Sequence, residues 1–143
     1  MSGTYDLERF VTAQESGGTY RQALAELEAG AKRSHWMWFI FPQVAGLGMS
    51  ATSRMYAIAS LDEARAYLAH PVLGPRLLEC ARAVLQVDGR SAVQIFGGID
   101  ARKLQSSATL FLRADPAQPE FQQLLDRYFD GTADDATDRI LAG

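Results

Sequence analysis

The chain is poor in the residues that most often carry chemistry. Among 143 residues there is one cysteine and there are two histidines. Cys80 alone cannot form an intrachain disulfide, so an oxidising compartment gives the fold no help. His35 and His70 stand far apart, and no Cys/His/Asp/Glu cluster has ligand spacing, so no metal is expected. Neither a P-loop nor a dinucleotide fingerprint occurs, and no cofactor is expected. No segment alternates polar and apolar residues with period two, and no repeat or low-complexity stretch is visible. The longest uninterrupted apolar run, Trp36 to Phe41, has six residues, far short of the ~20 a membrane helix needs. Met1 to Glu15 lacks the basic-then-apolar order of a secretory signal. The net charge of −3 and pI near 5.3 argue against a nucleic-acid or anionic-membrane partner. A cytoplasmic chain with neither partner is the expectation; a protein partner is left open.

What is present fits a globular helical protein. Apolar residues make up 48% and charged residues 22% of the sequence, ordinary values for such a fold. A chain of this length fits one domain, 1–143, and buries roughly two thirds of its unfolded surface. Leu7, Phe10, Val11 and Gln14 share a helical face that Ser16-Gly17-Gly18 ends. Thr19 is placed to cap a second helix carrying Tyr20, Leu24 and Leu27, stopped by Gly30. Ser60-Leu61-Asp62-Glu63 reads as a capping box for a helix that reaches about His70. Pro75 opens another, with Leu77, Cys80, Ala81, Val84 and Leu85 in a stripe. Ser91 caps a brief helix to Phe96, and Asp100 is placed to cap the next, from Ala101 to about Leu112. Pro119 begins a helix that Gly131 stops, and Asp135 is placed to cap the last. The sum is an all-α fold of seven to nine helices.

The densest information lies in Lys32-Arg33-Ser34-His35-Trp36-Met37-Trp38-Phe39-Ile40-Phe41-Pro42-Gln43. Its large apolar side chains demand burial at about 25 cal/mol per Å². Its polar members must then find partners or a ligand. Periodicity alone leaves the run open between a short helix capped by Ser34 and a buried strand.

This run, followed by Gly46-Leu47-Gly48 and Ser50, resembles the signature of the domain-of-unknown-function family 1810. Tyr67-Leu68 through His70-Pro71, Leu73-Gly74, Arg76-Leu77, Ile95-Phe96-Gly97, Asp100, Lys103-Leu104, Ser106-Ser107 and Thr109-Leu110-Phe111 extend the resemblance over nearly the whole chain. Ala108 departs from it, standing where a bulkier residue is expected. The resemblance implies an all-helical bacterial fold, and with it a helical aromatic run. It implies no activity, substrate or cofactor. Some members carry a calpastatin-like label, but nothing in this chain resembles a protease-inhibitor repeat.

Three constellations are candidates for a site. Lys32, His35, Trp36, Trp38 and Gln43 combine a point charge for an anion, a proton carrier near neutral pH and stacking surfaces; the plainer reading is a core segment with satisfied polar groups. Gly46, Gly48 and Ser50 allow backbone N–H groups to approach an anion, or simply make a tight turn. Asp100, Lys103 and Ser107 fall at i, i+3 and i+7 on one helix face, with Ser106 beside them; a lysine near a serine serves nucleophilic attack or phosphate binding, and the plainer reading is a cap and surface groups. Cys80 reads as a small core residue, and spacing lends no support to a Cys80–His35 dyad. The acidic stretch from Asp130 to Asp138 reads as a solvated face. Together these predict a small-ligand-binding domain for an anionic, partly aromatic ligand of nucleotide type. If it is a hydrolase, His35 transfers the proton and Lys103 supplies charge. The rival class is a protein-interaction module without catalysis.

Overall fold

The computed structural model describes residues 5–143. Among them, seven helices run eight residues or more: α1 (Glu8–Glu15), α2 (Thr19–Glu28), α5 (Leu61–Ala69), α6 (Leu73–Leu85), α8 (Gly98–Ala114), α9 (Pro119–Phe129) and α10 (Asp135–Ala142). Three single turns, α3 (Met37–Ile40), α4 (Ala51–Met55) and α7 (Ala92–Phe96), lie between them. The all-α reading therefore holds, and the aromatic run is helical over Met37–Ile40. Pro42 ends it by pushing Phe41 out of the helical region, to φ −123°, ψ 76°.

The longest helix, α8, is the axis of the fold. Ten of its seventeen residues are buried, so it is covered on more than one side, as a helix inside a core must be. It packs against α5, α7, α9 and α10, while α6 bridges α2, α5 and α9. An aromatic chain runs through this centre. Phe10 meets Tyr67 edge-on at 5.1 Å, Tyr67 meets Phe111 at 5.4 Å, and Phe111 stacks on Phe121 at 5.6 Å. Such pairs add about 0.5–1.5 kcal/mol each beyond area burial. Ala108 is buried on α8.

Several helix starts differ from expectation. Ser60 accepts from the Glu63 N–H at 3.1 Å as expected, but Glu63 reaches back to the Ala59 N–H (2.7 Å) and to Arg9 instead of closing the box. Ser91 and Gln94 form a complete box. Thr19 does not cap α2; the 3₁₀ turn Ser16–Gly18, with Gly17 and Gly18 at positive φ, feeds the helix directly. Asp100 does not cap α8, because the helix begins two residues earlier at Gly98. Asp134, one residue before the expected Asp135, caps α10 through the Thr137 N–H at 3.0 Å. His70 ends α5 and starts the next helix: its Nδ1 accepts from the N–H groups of Val72 and Leu73. That acceptor role leaves Nε2–H to donate to Glu8 at 3.1 Å.

Cys80 is wholly buried on α6. Burial pushes its thiol up to about 12, so it carries almost no thiolate at neutral pH. His35 is exposed, so the two form no dyad. Native protein should resist a thiol-specific reagent at neutral pH and react stoichiometrically in denaturant. Rapid labelling of the folded chain would contradict this burial.

Candidate functional site

The site grows from a buried carboxylate on α2. Glu26 shares the inward face of that helix with Ala23 and Leu27. Its Oε1 accepts from the Arg33 N–H (2.8 Å), the Ser34 N–H (3.0 Å) and the Trp36 indole N–H (2.9 Å), and its Oε2 accepts from the Ser34 hydroxyl (2.7 Å). Burial on its own would raise the carboxyl pKa. The four donors outweigh it and draw the value down to about 2. The expected capping role of Ser34 is thus replaced by a bond to this carboxylate. One side chain thereby fixes the turn that carries Lys32 and His35.

Lys32 is held from both ends. Its backbone N–H donates to the Ile95 carbonyl at 2.8 Å, and its side chain is 7% exposed. The ammonium lies 2.8 Å from an Asp100 carboxylate oxygen and 4.9 Å from the centre of the Trp36 ring. Lys103, one turn along α8, approaches the other Asp100 oxygen at 3.5 Å and sits 4.7 Å over the Trp38 ring. Two ammonium groups thus share one carboxylate, each against a tryptophan face, a favourable setting for a cation. Gly97 makes this meeting possible. Its φ of +83° and ψ of 163° lie in a region open essentially to glycine alone, and this turn joins α7 to α8 just before Asp100.

Between the aromatic turn and the start of α8 lies a surface hollow of about 350 Å³. Lys32, His35, Trp38 and Asp100 line it, with Phe96 and Ile99 supplying apolar wall. Lys103 touches two of these wall residues, Trp38 and Asp100. The two clusters singled out in the sequence therefore meet in space. A second cavity of about 120 Å³ is lined by Trp38, Gln43, Gly46, Gly48, Arg54 and Tyr56, among others. Trp38 is the wall the two spaces share.

Other expected site residues lie elsewhere. Trp36 is fully buried and spends its N–H on Glu26, so it offers no stacking face. Gly46 and Gly48 line the second cavity and do not close the first. Ser50 is exposed and caps α4 through the Ser53 N–H at 3.1 Å. Ser106 is buried against Thr137 at 2.9 Å, docking α10. Ser107 is buried, and its hydroxyl has no partner among the described residues. Neither serine lines the hollow; α8 starts early enough that both fall in its buried middle. Among the described residues no group of three or more His, Cys, Asp or Glu is placed to hold a metal ion, and no helix is long and apolar enough to cross a membrane.

Residues 4–141 match the family described as "Protein of unknown function (DUF1810)". The chain belongs to this family. Its structure is similar to the crystal structure of the conserved hypothetical protein Rv1873 from Mycobacterium tuberculosis, with a TM-score of 0.94 and 52% identity over 97% of this chain and 98% of that one. No curated protein matches the sequence. The family membership agrees with the aromatic signature and with the helical fold it implied.

The residue sequence reasoning missed is Glu26. Its signal was an acidic side chain three residues after Ala23 and next to Leu27, on a face that should be apolar throughout. Because its folded pKa lies below the ordinary 4.5, the stability it contributes is fully present above about 4.5 and is lost as pH falls toward about 2. Glu26→Gln should lower the unfolding free energy at neutral pH by about 3 kcal/mol and flatten the acid limb between those values. A variant with unchanged stability and the same acid limb, measured by urea unfolding across pH, would show that Glu26 is not the anchor.

Proposed function

We propose that the hollow bounded by Lys32, His35, Trp38 and Asp100 binds a small anionic ligand with a planar aromatic part, of nucleotide type. The observation that supports this is the convergence of two segments far apart in the chain on one concavity, with two ammonium groups against a single carboxylate. The local balance is one net positive charge on a chain whose overall charge is −3, so an anion is the complementary guest. The volume lies at the lower end of the range for small-molecule sites. Trp38 and Phe96 supply aromatic surface, and His35, exposed at the rim, supplies a donor. Asp100 spaces the lysines. A hydrolytic version of this site uses His35 to take a proton from an attacking water and Lys103 to balance charge on the departing anion; among the described residues no hydroxyl or thiol side chain lines the hollow to serve as a nucleophile. The rival reading, a protein-docking face, draws on Ile99, which is 76% exposed at the same hollow.

Quenching of tryptophan fluorescence by a panel of nucleoside mono- and diphosphates tests the proposal, since Trp38 lines the site. Saturable quenching by at least one nucleotide is expected. Lys103→Ala and His35→Ala should each weaken it at least tenfold while moving the thermal midpoint by only a degree or two. Unchanged affinity in both variants, or no saturable response to any nucleotide, overturns the reading; Ile99→Asp abolishing capture of a protein while nucleotides fail would favour the rival.

A further inference from the structure

The second cavity is outside the hollow just described, and its lining has chemistry of its own. It is built by the segment from Gln43 to Ile58, which closes on itself. The Ile58 N–H donates to the Gln43 carbonyl at 2.9 Å and the Ala45 N–H to the Ile58 carbonyl at 2.8 Å, a single parallel bridge. Between these ends the chain makes the Gly46–Ser50 turn and the helical turn α4. Gly46 has φ +102°, and a Cβ on Gly48 would lie 2.4 Å from that of Ser53, so both glycines are needed for this path.

Three residues with polar side chains line this cavity and make no side-chain hydrogen bond or ion pair among the described residues: Gln43, Arg54 and Tyr56. Six of the twelve arginines are committed to ion pairs. Arg9, Arg65, Arg76, Arg82, Arg113 and Arg127 each hold a carboxylate. Arg54 holds none. Tyr56 is fixed by ring contacts with Phe39 at 5.3 Å and Phe10 at 5.8 Å, so its hydroxyl is positioned by the core. Gln43 is pinned by its backbone carbonyl. The Tyr56 ring and the Gln43 backbone are thus held, the Arg54 guanidinium is free to turn to a guest, and a planar fork, an amide N–H and a phenolic O–H are complementary to a small oxyanion.

We propose that this cavity is an oxyanion-binding subsite, in which Arg54, Gln43 and Tyr56 hold a phosphate or carboxylate group. Its volume of about 120 Å³ is that of about four waters, room enough for one such group. The ligand is either a free inorganic anion or the acidic terminus of a larger molecule. The subsite does not depend on the nucleotide reading of the neighbouring hollow, with which it shares only Trp38.

The test is NMR titration of the intact chain with inorganic phosphate, with acetate and with phosphoserine, at constant ionic strength. Saturable shifts centred on the amides of Ala45, Gly46, Gly48 and Ala57 are expected. Phosphate against acetate separates the two oxyanion classes, and tighter binding of phosphoserine than of phosphate marks a terminus of a larger molecule. Arg54→Ala should weaken binding at least tenfold and Tyr56→Phe or Gln43→Ala several-fold, whereas Lys103→Ala should change it less than twofold. The exposed Arg54 side chain makes no bond within the fold, so its variant folds, and an unchanged amide spectrum outside this segment verifies that. Absence of saturable shifts with all three probes, shifts centred on Lys32 and Asp100 instead, or an Arg54→Ala affinity equal to the parent would overturn the proposal. Loss of the nucleotide response with the phosphate response retained would refute the neighbouring site and leave this one standing.

Discussion

A carboxylate with no cationic partner among the described residues, buried and held by four neutral donors, organises the molecule's polar face. Glu26 ties α2 to the turn at 33–36 through two backbone N–H groups, a hydroxyl and an indole. A buried charge is tolerated only where hydrogen bonds replace its lost hydration, and here each donor comes from the segment whose path is being set. The indole bond also draws Trp36 into the core, with its ring beneath the Lys32 ammonium. Without that acceptor, the buried Trp36 N–H would be left unpaired, at about 1–3 kcal/mol.

The second constraint is the sharing of Asp100. Lys32 arrives from the anchored turn and Lys103 from the next turn of α8, and the carboxylate between them lets two cations approach closely. Each ammonium also rests on an indole face, Lys32 on Trp36 and Lys103 on Trp38. The tryptophans therefore divide their labour. Trp36 is structural, spent on Glu26 and the core, and Trp38 stands half-buried as the wall of both cavities. Gly97, in a backbone conformation closed to other residues, sets the angle at which α8 leaves α7 and so brings Asp100 to the anchored turn.

Much of this was legible from residue patterns. The apolar stripes of α1 and α6, the stops at glycine and proline, and the caps at Ser60 and Ser91 all follow from local sequence, because hydrophobic periodicity and cap geometry are short-range. Lys32, His35, Asp100 and Lys103 were each singled out by the tension between polar groups and apolar surroundings; that they meet at one hollow is decided by the packing of α7 and α8 against the aromatic turn. Ser106 and Ser107 were misplaced because helical spacing gives a face and does not say what covers it. The wheel set Ser107 beside Lys103, whereas α10 packs over Ser106 and the middle of α8 is buried on several sides. Glu26 escaped notice because a glutamate on a helix is ordinary until the partner segment is known to deliver four donors to it.

Sequence alone determined that the chain is helical, where most helices begin and end, and that the tryptophan-rich segment carries unusual polar demands; these follow from propensities, caps and periodicity acting over a few residues. Tertiary structure alone decided which tryptophan is core and which is wall, that Arg54, Gln43 and Tyr56 line a common space, and that Glu26 is the anchor. Those outcomes depend on contacts between segments separated by tens of residues, or on the closure of a loop upon itself. Such contacts are fixed by how the helices pack around α8, and no local pattern encodes that packing.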